Sequence, residues 1–158
     1  MFSVGDRIAH PMHGAGIIES IVKRKVDGAE KDYYVLKLPV GDMQVMIPVD
    51  STETIGVRPI VKPDEAERIL LAISDIEVNM TQNWNKRYRE NMLKIKSGDL
   101  LEVASVIKGL MLRDTVKGLS TGERKMLHSA KQIFISEIVL SESSSYEEIE
   151  QRINTAVS

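Results

Sequence analysis

The chain has 158 residues and no cysteine, so disulfides and thiolate zinc sites are excluded and a reducing compartment fits. Hydrophobic residues make up 42% and aromatic residues 4%, so a core exists but must be built from aliphatic and methionine side chains. The formal net charge of −2 argues against a nucleic-acid binder overall, yet residues 86–131 carry 11 basic and 5 acidic side chains while residues 132–158 carry 1 and 5.

The opening Met1-Phe2-Ser3-Val4-Gly5-Asp6 has neither a charged stretch nor an apolar run of a secretory signal. No later run approaches the roughly 18 apolar residues a membrane span requires. A cytoplasmic protein is expected. Asp6–His10 reads as a short strand, and His10-Pro11-Met12-His13-Gly14 as a tight loop, with Gly14 and Gly16 suited to a bend or bulge. Ile17–Val26 reads as a long strand and Asp27-Gly28 as a two-residue hairpin turn, because glycine accepts the positive φ it needs. Tyr33–Leu38 is the return strand, Val40-Gly41-Asp42 a turn, and Met43–Ile47 a strand that Pro48 ends or confines to an edge. So many short strands in so few residues predict a small antiparallel β-barrel over residues 1–62.

From Pro63 the period becomes helical. Ala66, Ile69, Leu70 and Ile73 share one face. A second helix is predicted over Thr81–Ile95, with Trp84, Tyr88, Met92 and Ile95 in one stripe. Ser97-Gly98-Asp99 breaks it and offers a cap for a third, whose inner face is Leu100, Val103, Ala104, Ile107, Leu110 and Met111. Gly118 stands where helices end, and Ser120-Thr121-Gly122-Glu123 has the spacing of a capping box ahead of a fourth helix facing inward with Met126, Leu127, Ala130, Ile133 and Phe134. Ser145 and Glu148 cap a last helix carrying Ile149 and Ile153. The expected architecture is α+β, the barrel followed by an all-α domain over residues 63–158.

His10-x-x-His13 is the one pair that hints at metal, but it lacks a third ligand, and a turn held by hydrogen bonds is the plainer reading. The carboxylates are scattered and no nucleophile motif or phosphate loop is present, so no enzyme and no cofactor are expected. The informative stretch is Asn83–Arg89: the sole tryptophan, Trp84, with Lys86, Arg87 and Arg89. Cations neutralise phosphates and a flat ring can wedge at a base step. Equally, Trp84 and Tyr88 are four apart and both could face a core. Arg124 and Lys125 lie in the first turn of the fourth helix, where unpaired amides already favour anions.

The chain resembles the CarD/CdnL family of bacterial RNA-polymerase-binding transcription regulators. The likeness rests on Val4-Gly5-Asp6, Pro11–Ala15, Tyr34–Lys37 and Gly56-Val57-Arg58. In the second half it rests on Asn83-Trp84 with Arg87-Tyr88, Ser97-Gly98-Asp99, Val103-Ala104, Leu110 with Arg113-Asp114, and Gly118–Leu127. Transcription–repair coupling factors share the N-terminal motifs; the later ones are specific. The resemblance implies a Tudor-like N-terminal domain that grips the RNA polymerase β subunit through an exposed strand edge, with contacts at Arg24, Val26 and Met46. Several relatives carry arginine at the last position. It further implies a helical domain at promoter DNA, at the upstream edge of the transcription bubble, where Trp84 wedges into the minor groove and Arg89 and Arg124 touch phosphates. The open promoter complex would thereby be stabilised. Relatives are often monomers, and a monomer is expected here. The rival readings are a polymerase-binding adaptor that never touches DNA, which exposure of Trp84 would disfavour, and a metal protein using His10 and His13.

Overall fold

The computed structural model describes residues 1–39 and 41–158; Val40, the first residue of the expected Val40-Gly41-Asp42 turn, lies outside them. The first half forms strands β1 (Arg7–His10), β2 (Gly14–Val26), β3 (Ala29–Lys37), β4 (Gln44–Pro48) and β5 (Arg58–Pro59), with a short helix α1 (Thr52–Ile55) before β5. The second half forms α2 (Pro63–Ala72), α3 (Trp84–Lys96), α4 (Leu100–Val116), α5 (Thr121–Glu142) and α6 (Tyr146–Val157). The fold is therefore α+β, an antiparallel sheet followed by helices. Among the described residues no helix is long and apolar enough to cross a membrane.

The strand order is β4-β3-β2-β1-β5, all antiparallel. The expected barrel is not closed: among the described residues β4 and β5 do not pair. Helix α1 sends the chain back along β1, and β5 is two residues long and ends on Pro59, which has no N–H to donate to a further ladder. Asp27 (φ 52°) and Gly28 (φ 80°) close the β2–β3 hairpin, with Val26 opposite Ala29. Two left-handed residues match the twist of the flanking strands. The bulge sits not at Gly14 or Gly16 but between Ile18 and Ser20, where Glu19 is the extra residue. Gly16 has another role, since a Cβ there would lie 2.5 Å from the Lys37 carbonyl oxygen. Ile8, Ile18, Tyr34, Leu36 and Ile47 fill one face of the sheet.

The helices bury a larger aliphatic core around α4, in which Val103, Val106, Ile107 and Leu110 are enclosed on several sides. Asn83, Asp99, Ser120 and Ser145 each cap the helix that follows, accepting from backbone amides at 2.8–3.2 Å. Helix α3 starts at Trp84, three residues later than the periodicity predicts. The preceding segment is drawn across α4 instead: a Cβ on Gly109 would collide with Met80 and lie 2.8 Å from Val78 Cγ1. Buried Lys108 holds the start of the same segment, donating to the carbonyls of Ile73, Ser74 and Ile76 at 2.8–2.9 Å.

The two halves meet along α5. Ala9 and Ala15 pack on Leu140, and the Ala15 amide donates to Ser136 Oγ at 2.9 Å. Arg58 forms a two-pronged pair with Glu137 at 2.7 and 2.9 Å, and Glu137 also accepts from the Val61 amide at 2.9 Å. Gly14 (φ 95°) permits the approach, because a Cβ there would lie 2.5 Å from Ser136 Oγ.

Candidate nucleic-acid and protein interfaces

The first candidate surface is the corner where α3 and α5 begin. Asn83 caps α3 and so sets Trp84 at its first position, before the helix sinks into the core. The indole is 42% exposed. Its inner face stacks on Tyr88, with ring centroids 5.1 Å apart and planes 20° from parallel. Its Nε1 donates to Ser120 Oγ at 3.0 Å, and its six-membered ring lies 3.5 Å from where a Cβ on Gly122 would stand. The stripe Trp84, Tyr88, Met92, Ile95 thus runs from solvent into the interior, with Ile95 2% exposed. Helix-face spacing alone left both destinations open, and the chain uses both.

The cations divide. Lys86, Arg89, Arg124 and Lys125 are exposed, and among the described residues none pairs with a carboxylate. At 100° per residue, Lys86 lies about 200° and Arg89 about 140° round α3 from Trp84, so both sit on the side of the helix away from the ring, while Arg124 and Lys125 belong to the start of α5 beside it. Arg124 folds its Nε back onto the Leu119 carbonyl at 3.2 Å. Arg87, expected among the phosphate contacts, is instead 1% exposed and is removed from that set. Its Nε and Nη2 engage Glu123 at 2.8 and 3.2 Å, and its Nη1 donates to the carbonyls of Thr81 and Gln82 at 3.1 and 2.9 Å. The guanidinium is consumed inside the protein. This also alters the expected capping box: Ser120 accepts from the Glu123 amide, but the Glu123 carboxylate turns to Arg87, the stronger, charged partner. Arg87 holds the Glu123 carboxyl below its usual range, although burial pushes it the other way.

The second candidate surface is a face of the sheet. Residues paired across antiparallel strands lie on the same face. Val22 pairs with Tyr33, Arg24 with Lys31, Val26 with Ala29, and Val35 with both Ser20 and Met46. The register therefore sets Arg24, Val26 and Met46 on one face, opposite the core formed by Tyr34, Leu36 and Ile47. Val26 is 40% and Met46 39% exposed, with Val22, Tyr33, Val35 and Pro48 half-buried between them. Helix α5 covers the other end of this face, over Ala9 and Ala15, and leaves this end open. Two strand edges are also open among the described residues: the outer edge of β4, and β2 beyond the end of β1.

Helix α5 spans from one surface to the other. Ser136, tied to Ala15, and Ser120, tied to Trp84, are 16 positions apart. At 1.5 Å per residue that is about 24 Å of straight helix.

Comparison with known proteins decides the family. Residues 68–154 match the family described as CarD, C-terminal domain, and residues 2–61 match the CarD-like/TRCF RID domain. The chain belongs to the CarD family. It is 36% identical over 138 residues to YdeB of Bacillus subtilis (strain 168), a candidate transcription factor, with 87% of this chain and 90% of that protein covered. Among solved structures it is similar to the solution NMR structure of the 72-residue N-terminal domain of Myxococcus xanthus CarD. That match has 27% identity, covers 37% of this chain and 79% of that one, and has a TM-score of 0.33. As a CarD-like protein the chain is a transcription regulator whose sheet half is the RNA-polymerase-interacting module.

Within this family member the His10–His13 pair has a local explanation. The rings are 4.5 Å apart and His10 Nδ1 accepts from the Met12 amide at 3.0 Å. Burial, and then the neighbouring His13, lower the His10 pKa. Among the described residues no group of three or more His, Asp or Glu could hold a metal ion. Sequence reasoning missed Ser120 as a partner of the indole and the Arg58–Glu137 pair across the junction. Ser120 carried a signal, its place at a helix start, but was spent on the cap alone. Arg58 and Glu137 are 79 positions apart, and nothing local links them.

Proposed function

We propose that this protein grips the RNA polymerase β subunit through the open sheet face and engages promoter DNA at the upstream edge of the transcription bubble through the Trp84 corner, stabilising the open complex. The observation that carries this reading is the state of the sole tryptophan: half exposed, stacked on one side, and hydrogen-bonded along its edge. A tryptophan serving only the core would be enclosed. A ring fixed with one face free can fill the gap at an unstacked base step, at a cost to the duplex that is lowest where the strands have already parted.

Lys86, Arg89, Arg124 and Lys125 supply the phosphate contacts, Arg124 and Lys125 from the start of α5 and Lys86 and Arg89 from the side of α3 away from the ring. Arg24, Val26 and Met46 supply side-chain contacts to the polymerase, and an open strand edge supplies main-chain pairing. Few phosphates are engaged, so the Trp84 corner by itself binds DNA weakly. Anchoring on polymerase raises its local concentration at the promoter. The docked junction and α5 fix the reach between the two surfaces. The open complex is stabilised by as much as the corner's affinity for melted promoter exceeds that for closed duplex.

The test is open-complex lifetime with purified polymerase. Trp84→Ala is expected to shorten the lifetime about fivefold or more, from loss of a stacked base contact of about 1–3 kcal/mol, while polymerase binding stays intact. Arg24→Glu is expected to weaken polymerase binding instead. An unchanged lifetime in folded Trp84→Ala rejects the wedge, and unchanged β binding in Arg24→Glu rejects the anchor.

A further inference from the structure

We infer that Ser120 is the positioning residue that holds Trp84 in its outward pose, with Glu123 and Arg87 fixing Ser120 from behind. This deepens the wedge reading and rests on it. The argument begins with the hydroxyl. The indole N–H and the Glu123 amide are donors only, so Ser120 Oγ must accept both, at 3.0 and 3.2 Å. Its own proton then has one partner, Glu123 Oε1 at 3.4 Å. A serine hydroxyl offers two acceptor sites and one donor, and here all three are engaged.

Behind it the Glu123 carboxylate is held by Arg87, which also takes the carbonyls of Thr81 and Gln82 just ahead of the α3 cap. A chain of hydrogen bonds therefore runs from the start of α3, through Arg87, Glu123 and Ser120, back to Trp84 at the start of α3. It locks the first turns of two helices together. Tyr88 stacks beneath the ring and Gly122 leaves room for its edge. Gly122 also has a functional reading: a large side chain there would push the indole off Ser120. The ring is thus ordered before it meets any ligand, and binding need not order it again. Without the serine oxygen the indole keeps its stack on Tyr88 but loses the contact that fixes its rotation.

Because Trp84 is the only tryptophan, its fluorescence anisotropy decay in the free protein reports this hold directly. The variants are Ser120→Gly, Ser120→Thr and, as a control, Ser145→Gly at the far end of α5. Glycine retains most of an N-cap, so Ser120→Gly removes the indole's acceptor with little loss of helix. Ser145→Gly makes the same cap change away from the ring. Ser120→Gly is expected to introduce a fast anisotropy component and to shorten open-complex lifetime about three- to tenfold, the worth of one hydrogen bond. Ser120→Thr is expected to restore both, and Ser145→Gly to change neither. Unchanged anisotropy and lifetime in Ser120→Gly, with Trp84→Ala still shortening the lifetime, overturns the positioning role and leaves the wedge intact. Equal shortening by Ser145→Gly overturns it too, since the effect is then only a lost cap. If Trp84→Ala itself has no effect on lifetime, the wedge reading fails, and a fast component confined to Ser120→Gly still supports the hold on the ring.

Discussion

The open sheet face and the Trp84 corner are both half-apolar and exposed, but they are built by different means. The sheet face takes its geometry from backbone register: once Val35 is opposite Met46 and Arg24 opposite Lys31, every side chain on that face is placed. The Trp84 corner takes its geometry from side-chain hydrogen bonds, with Arg87, Glu123 and Ser120 each depending on the next. A register-built surface tolerates side-chain change without moving, which suits recognition that includes main-chain pairing. A surface built from a polar network has one pose and loses it with one substitution, which suits a ring that must meet a base step at a fixed angle. The contrast predicts opposite mutational behaviour at the two ends of the molecule.

The largest expected effect is at the corner. Arg87→Ala leaves the Glu123 carboxylate buried without its main partner and is expected to cost about 3–5 kcal/mol of stability, the usual penalty for breaking a buried pair. Chemical unfolding measures it. If Arg87 were a phosphate contact the protein would keep its stability and lose only salt-dependent binding. The pair also fixes a pH dependence. Glu123 has a depressed pKa, so its contribution is present above the ordinary carboxylate range and is lost as pH falls through the depressed value. Glu123→Gln is expected to remove that part of the acid sensitivity.

Next is the junction that makes the two surfaces one unit. Arg58 is about a third exposed while Glu137 is 2% exposed, so Arg58→Ala is expected to cost less, about 1–3 kcal/mol. It should also loosen one half against the other. A broader distance distribution between labels on the sheet and on α3 would report this. An unchanged distribution would mean that Ala15, Ser136 and Leu140 suffice to hold the halves.

The smallest expected effect is far from both surfaces, where Glu67, Glu142 and Arg152 meet. Arg152 draws the Glu67 carboxyl down to about 2, while burial and then Glu67 itself raise the Glu142 carboxyl. A raised carboxyl pKa means stability is present while the group is protonated and is lost as pH rises through the raised value. Glu142→Gln is expected to stabilise the protein at neutral pH by at most about 0.5 kcal/mol, because solvent screens much of the repulsion. A thermal melt measures it, and neither surface should change.

Much of this was legible in the sequence because it is local. The Asp27-Gly28 hairpin, the strand alternation and the caps at Asp99, Ser120 and Ser145 follow from neighbours within four residues. Four features were not. Sheet closure depends on where β5 lands, and a two-residue strand carries no pattern to say. The role of Arg87 depends on Glu123, 36 positions away, and a basic residue among other basic residues reads as surface until its partner is known. Lys108 is buried in α4 for the same kind of reason: its three carbonyl partners lie in a segment with no periodicity. The exposure of Trp84 was left open by its spacing, because the helix was expected to begin at Thr81, and its hydrogen-bond partner Ser120 lies 36 positions away.

The most direct test is the accessibility of the indole through the cycle of binding. Trp84 is replaced by 5-hydroxytryptophan, which can be excited to the red of the polymerase's own tryptophans, and quenched with acrylamide. The expected result is an indole open to quencher in the free protein and in the complex with polymerase alone, and shielded once melted promoter is added. An indole that is shielded by polymerase alone, or that stays open on melted promoter, would contradict the role assigned to it.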